Sequence, residues 1–449
     1  MNGANPRFGT FCPFVVQSLP FKANYSSFLT YTEMSRPGTP PYPPSPVPAA
    51  AGGSGADAEP ASAPELRRYE TFDSMGIDMK LLRGIYSKGY EKPSEIQQTA
   101  IVPIIEGRDL LAQAQSGTGK TATFTIGGLS RIDPALNAVQ MVVITPTREL
   151  ADQAEKEALG IGQYLGIRVH KATGGPPVSA DLAVLVQGRG ADHVPHVLCV
   201  TPGRFYDLLN RKAVNPDTIR VLILDEADQM LAARFREQIH CILALRWPAT
   251  VQVALLSATM IPEIAAVAKD LLRDPVTILL EPDKVTLDGI KQWYIDLPRE
   301  EHKLDTLCDI YDHLSIQQAA IFVNTKAKAE WLADQMKRRG FDLDYIHGEM
   351  EVKEREARME DFRAGRVRVL ISTDLLGRGI NVQTISIVIN YELPVDRENY
   401  IHRIGRSGRY GRKGASINLV CPREMRMQAD IEAFYGKKIN ELPLNLDIF

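Results

Sequence analysis

The chain has 449 residues and a formal net charge of −3, with 44% hydrophobic and 24% charged residues, the profile of a soluble globular protein of two or three domains. No overall basic excess is present, so nucleic-acid binding would have to come from a local strip and not from bulk charge. No stretch approaches the apolar length of a membrane span. The five cysteines, Cys12, Cys199, Cys241, Cys308 and Cys421, are too scattered for metal-ligand spacing. They read as reduced and mostly buried, in an intracellular compartment.

Residues 1–65 read as a disordered Pro/Ala-rich extension. Met1 to Thr32 carries Arg7 and Lys22 but no acid, yet it has too little Arg and no amphipathic period for a transit peptide. Met34 is an alternative start of translation. Arg36 to Pro48 is proline-dense, and Ala49 to Pro64 is small and polar.

From Tyr69 the pattern changes to Phe72, Met75, Ile77, Leu81, Leu82 and Ile85, close to helical in period. In Gly89-Tyr90-Glu91-Lys92-Pro93-Ser94-Glu95-Ile96-Gln97, Ser94 is a helix cap and Gln97 completes a capping box. Gln97 is also suited to read an adenine edge while Tyr90 stacks on the ring, and residue chemistry leaves the two readings even.

The apolar run Asp109 to Ala112 then leads into Ala114-Gln115-Ser116-Gly117-Thr118-Gly119-Lys120-Thr121, with a helical pattern over Ala122 to Leu129. Strand, glycine-rich turn and helix form the context in which backbone N–H groups and a helix N-terminus converge on phosphate. Lys120 would reach the outer phosphates and Thr121 would hold a Mg²⁺ ion; Ala114 stands where such loops usually begin with Gly.

Buried strands are expected at Met141 to Ile144, Arg168 to Ala172, Val197 to Val200, Val221 to Leu224 and Val251 to Leu256. Polar residues sit at their ends: Pro146-Thr147-Arg148, Gly174-Gly175, Thr201-Pro202-Gly203-Arg204 and Ser257-Ala258-Thr259. Gly, Thr and Arg at three such ends suit close approach to a sugar–phosphate backbone without base reading. Asp225-Glu226-Ala227-Asp228 ends another strand, placing Asp225 to hold Mg²⁺ and Glu226 to deprotonate water. Paired with the glycine loop, this reads as an NTP hydrolase.

Asp283 to Gly289 is polar and turn-forming, and a second α/β run follows, with strands expected at Ala319 to Val323, Asp344 to Ile346, Val367 to Ile371, Ile385 to Ile389 and Ala415 to Val420. The segment His402-Arg403-Ile404-Gly405-Arg406-Ser407-Gly408-Arg409 gathers four cations, with Arg406 and Arg409 spaced to aim at one phosphate.

These motifs, in this order over Tyr69 to Phe449, resemble those of the DEAD-box ATP-dependent RNA helicases. Leu82-Arg83-Gly84-Ile85-Tyr86, Lys303-Leu304-Asp305-Thr306-Leu307-Cys308, Asn399-Tyr400-Ile401-His402 and Leu442-Pro443-Leu444-Asn445 are similar to the branch holding eukaryotic translation initiation factor 4A and the exon-junction helicase core. The resemblance implies two tandem RecA-like α/β domains with mainly parallel sheets, at 66–282 and 291–449, joined by a linker at 283–290.

It also implies site roles. Tyr90, Gln97, the phosphate loop and Asn381 would hold ATP; Thr121 and Asp225 the metal; Lys120, Asp225, Glu226, Arg406 and Arg409 the chemistry. Asp228, Ser257, Thr259 and His402 would couple nucleotide state to RNA grip. Pro146, Thr147, Arg148, Gly175, Thr201, Arg204, Arg355 and Thr373 would contact the RNA backbone. Two departures are visible: Asn381 replaces the family's Asp, and Val352 its Gln. The stretch Pro176 to Pro195 also runs longer than the family pattern.

The expected activity is RNA-dependent ATP hydrolysis by a cytoplasmic monomer that locally unwinds short RNA duplexes without sequence preference, in translation initiation and with scaffold-type protein partners. The alternative is an ATP-locked RNA clamp that serves as a platform for partners in mRNA processing.

Overall fold

In the computed structural model, the described residues are 67–443 without Ser116, Arg246 and the segments 187–193, 232–234, 280–289, 314–317, 378–384 and 408–413. The extension 1–65, the linker read at 283–290 up to residue 289, Asn381 and Arg409 lie outside them.

Two seven-stranded parallel sheets form the scaffold. The first comprises β1 (Leu110–Gln113), β2 (Met141–Ile144), β3 (Val169–Ala172), β4 (Val197–Val200), β5 (Val221–Asp225), β6 (Gln252–Ser257) and β7 (Val276–Ile278), in the order β3-β4-β2-β5-β6-β1-β7. Its central strands are buried on both faces, which is why they read as unbroken branched-apolar runs and not as alternating ones. Successive residues still part company: Met141 and Val143 join the core on one face, Val142 and Ile144 the core on the other.

The second sheet comprises β8 (Ile290–Asp296), β9 (Ala319–Phe322), β10 (Asp344–Ile346), β11 (Val369–Ser372), β12 (Ile387–Asn390), β13 (Gly414–Val420) and β14 (Asn440–Glu441), in the order β10-β11-β9-β12-β13-β8-β14. Subtracting seven from each label reproduces the first order, so the two halves share one topology. Strands β7, β8 and β14 are not among the sequence expectations: β7 and β14 are only three and two residues long, and β8 has few fully buried positions.

Of the four described cysteines none is in a disulfide; Cys199, Cys308 and Cys421 are buried and Cys241 is exposed. Among the described residues no helix is long and apolar enough to cross a membrane.

Candidate nucleotide and RNA sites

The loop after β1 is shaped by two glycines in left-handed conformations, Gly117 at φ 88° and Gly119 at φ 97°. A β-carbon at Gly119 would fall 2.6 Å from Gln97 Nε2, so the position needs glycine on two counts. Lys120 opens the following helix, Lys120–Leu129. Gln97 is buried: its Oε1 accepts from the Ser94 N–H at 2.9 Å, and its Nε2 donates to the Gly119 carbonyl at 3.4 Å. The amide therefore joins the start of helix Glu95–Ile105 to the phosphate loop, as well as serving the cap. Tyr90, half-buried, donates its hydroxyl to Glu157 Oε1.

Across the sheet, β5 delivers Asp225 and Glu226 to the same region. Glu226 takes φ 54°, a left-handed conformation that costs a β-carbon-bearing residue about 1 kcal/mol or more and turns the chain off the strand end. Its Oε1 lies 3.3 Å from Lys120 Nζ, and both side chains are nearly buried. Lys120 Nζ and Glu226 Oε2 are nonetheless without a hydrogen-bond partner. Buried charged atoms left in that state mark a place that a ligand completes. Burial, then Glu226, push Asp225 up to about 7 against the pull of Lys120. Crowded carboxylates suit a hard divalent cation, and Thr121 follows Lys120 on the same helix.

The second sheet reaches this cluster through helix Glu398–Ile404. His402 Nε2 lies 3.2 Å from Asp228 Oδ2, and its Nδ1 lies 4.0 Å from Glu226 Oε2. Asp228 Oδ2 also accepts from the Thr259 hydroxyl at 2.7 Å and the Thr259 N–H at 3.2 Å, while Ser257 Oγ donates to the Thr259 carbonyl. Burial pushes Asp228 up, but His402, Lys120 and Thr259 together hold it well below the usual carboxylate range. The structure thus brings Asp228, Ser257, Thr259 and His402 into one buried network. Arg406 is buried just after the helix, its Nε donating to the His402 carbonyl at 3.0 Å.

Arg403, which the sequence reading left without a role, is fully buried beside His402. Its guanidinium bonds Asp374 at 2.5 Å, Asn324 at 2.7 Å and the Glu392 carbonyl at 2.7 Å, tying three strand ends to the helix. Its signal in sequence was only its place within a basic run.

A cavity of about 450 Å³ opens on strand ends of both sheets. Pro146, Thr147, Arg148, Thr201 and Arg204 line it from the first sheet, and Arg355 from the second. Gly175 is next to the lining Gly174, and Arg148 lies so close over Gly175 that a β-carbon there would be 2.6 Å from its Nη1. Thr373 follows β11, two residues from the lining Leu375. Burial, then Arg355, push the Arg148 guanidinium below its ordinary value, with Arg204 adding to the effect. Cations crowded this way favour an anionic occupant. Arg355 Nη2 pairs with Glu149 Oε1 at 2.7 Å, a contact between the two halves.

The chain matches the DEAD/DEAH box helicase family over residues 94–267 and the helicase conserved C-terminal domain over 302–411. It is 50% identical over 377 residues to the ATP-dependent RNA helicase eIF4A of Mycosarcoma maydis, covering 84% of this chain and 90% of that one. To the ATP-dependent RNA helicase eIF4A of Schizosaccharomyces pombe it is 49% identical, covering 84% and 94%. Among solved structures, S. cerevisiae Dbp5 bound to RNA and ADP BeF3 aligns with a TM-score of 0.76 at 34% identity, over 83% of this chain and 95% of that one. With that identity and coverage, the chain belongs to the DEAD-box ATP-dependent RNA helicases.

Proposed function

We propose that this helicase is an RNA-dependent ATPase that closes on a single RNA strand and locally unwinds short duplexes, acting in translation initiation in the cytoplasm with scaffold-type protein partners. The observation that carries this reading is the His402–Asp228 contact, because it links the carboxylates beside Lys120 to the half that supplies Arg355 and Thr373.

In this reading the backbone amides of Ala114 to Thr121 cradle the phosphates and Lys120 leaves Glu226 for the γ-phosphoryl. Gln97 and Tyr90 hold the adenine, with Asn381 at the ribose. Thr121 and Asp225 would hold Mg²⁺, which neutralises charge on the phosphoryl oxygens. Glu226, released from Lys120, accepts a proton from the attacking water. Arg406 and Arg409 stabilise charge on the transferring group, and Asp228, Ser257, Thr259 and His402 report that state to the cavity. There the turns at Pro146–Arg148, Gly174–Gly175 and Thr201–Arg204, with Arg355 and Thr373, track the RNA backbone.

The groups assigned to the RNA are Gly, Thr and Arg, which suit the backbone and not base edges, so binding should be indifferent to sequence; Phe235 is the aromatic side chain in the lining. The test is competition between unrelated single strands of equal length, with a non-hydrolysable ATP analogue present. Affinities within about tenfold, roughly 1.4 kcal/mol, are expected. Equal binding of matched DNA, or hydrolysis that RNA does not stimulate, would overturn the assignment.

A further inference from the structure

The three turns of the first half that face the cavity come from different parts of the chain, and something must hold them in register. Arg204, on the first turn of helix Pro202–Asn210, lines the cavity, yet its side chain is only 8% exposed and its guanidinium is engaged by protein partners. Its Nη1 pairs with the carboxylate of Asp181, and its Nη2 donates to the Pro176 carbonyl at 2.6 Å. Pro176 directly follows Gly174-Gly175, so one side chain staples the Thr201–Arg204 turn to the glycine turn.

Asp181 sits on helix Val178–Leu185, buried at 5% exposure and outside the cavity lining. Its second oxygen meets His170 Nε2, on β3, at 2.9 Å. A buried carboxylate persists when its charge is paired and its lone pairs are met, and here both conditions hold.

We propose that Asp181 is a positioning residue of the RNA site. It holds Arg204 as a strut between two RNA-facing turns, so Arg204 acts by placing backbone groups and not by meeting phosphate. The inference rests on the RNA-binding reading above. The stretch Pro176 to Pro195, poorly matched to the family pattern in sequence, supplies both anchors of the strut: the Pro176 carbonyl and Asp181.

A direct phosphate ligand and a strut differ in one readout. Removing a phosphate contact on a single strand flattens the dependence of log K on log salt by about 0.7, whereas removing a strut weakens binding at an unchanged slope. The experiment measures binding of a labelled single-stranded RNA, with a non-hydrolysable ATP analogue, across a salt series for the full chain and for Asp181→Ala, Arg204→Ala, their double variant and Arg148→Ala.

Asp181→Ala and Arg204→Ala should each weaken RNA binding by about tenfold at the wild-type slope, and the double variant should be no weaker than either, because groups in one network are not additive. The RNA concentration that half-stimulates ATP hydrolysis should rise by the same factor. Arg148→Ala should flatten the slope.

If Arg204→Ala flattens the slope like Arg148→Ala, Arg204 is a phosphate ligand and the proposal fails. If Asp181→Ala tightens RNA, Asp181 is a competitor of RNA, and the proposal fails again. Should the single variants not fold, Asp181→Leu with Arg204→Met replaces the ion pair by apolar volume, and weakened binding at the wild-type slope is again expected. A wild-type chain that ignores RNA would fail the proposed function itself, whereas RNA-stimulated wild type matched by Asp181→Ala fails only the strut.

Discussion

Glu226→Gln tests two opposite consequences of one contact. Glu226 Oε1 is 3.3 Å from Lys120 Nζ, and both are nearly buried. In the proposed reading, ATP takes Lys120 from Glu226. The bare attraction at that distance and an effective dielectric of 20 is roughly 5 kcal/mol, most of it offset by desolvation. Neutralising Glu226 removes the partner nearest buried Lys120 and leaves Asp225 and Asp228 as its counter-charges, so the cost is at most that of breaking a buried pair, about 3 kcal/mol in the nucleotide-free protein. Phosphate then restores a partner, so by linkage the same free energy reappears as affinity. Recovery of even half of it tightens ATP binding by about tenfold.

Hydrolysis should move the other way. The amide cannot take the water's proton, and loss of a general base costs on the order of a hundredfold or more. The assays are equilibrium binding of a fluorescent ATP analogue, thermal melting of the empty protein and steady-state hydrolysis at saturating RNA. A turnover comparable to wild type would refute the base. An unchanged ATP affinity with an unchanged melting temperature would refute the competition for Lys120.

Gly119→Ala should lower ATP affinity by tenfold or more, since φ 97° strains alanine by about 1–2 kcal/mol and its β-carbon would displace Gln97; nucleotide titration checks this. Asp228→Asn should destabilise the protein at neutral pH. Because the folded Asp228 is held low, its contribution is full above the ordinary carboxylate range and is lost as pH falls from there towards the lowered folded value, so the wild-type advantage in denaturant melts should shrink in acid. Lys303→Met should leave the half-buried Glu424 carboxylate without its cation, costing about 3 kcal/mol and, by differential scanning calorimetry, on the order of 10 °C in the second half's melting.

What was legible in the sequence is what chemistry concentrates locally. The phosphate loop, Asp225 and Glu226 each declare themselves through a glycine pair or a carboxylate at the end of a four-residue apolar run, and the central strands through burial on both faces. Short edge strands carry too few residues for any period, so β7 and β14 escaped. Contacts between distant segments were equally hidden. Glu149 lies far from Arg355 in the chain, and Asp181 from Arg204, and no spacing rule connects either pair. Arg403 was invisible for another reason: a buried arginine and a solvated one look alike in a basic run.

The shared topology of the two sheets lets equivalent positions be compared, and in the proposed reading it is the first that cradles phosphate. Lys120 stands at the start of the helix after β1 and points to the residue that follows β5. Lys303 stands near the start of the helix after β8, His302–His313, and donates to the carbonyl of Tyr391, the residue that follows β12. The two lysines occupy equivalent places in the same fold. Around Lys120 the loop holds Gly117 and Gly119, and the ammonium, 3.3 Å from Glu226, makes no hydrogen bond. Ahead of Lys303 the chain runs Leu297-Pro298-Arg299-Glu300-Glu301, with no glycine to curl around a phosphate and with a proline lacking an N–H. Lys303 itself is fully buried and already neutralised by Glu424 at 2.6 Å. An ammonium that is satisfied inside the protein has nothing left to offer a nucleotide. The second half therefore keeps the topology of the first while its lysine serves the core, and in the proposed reading it contributes through groups at other strand ends, Arg406 to the chemistry and His402 to the coupling.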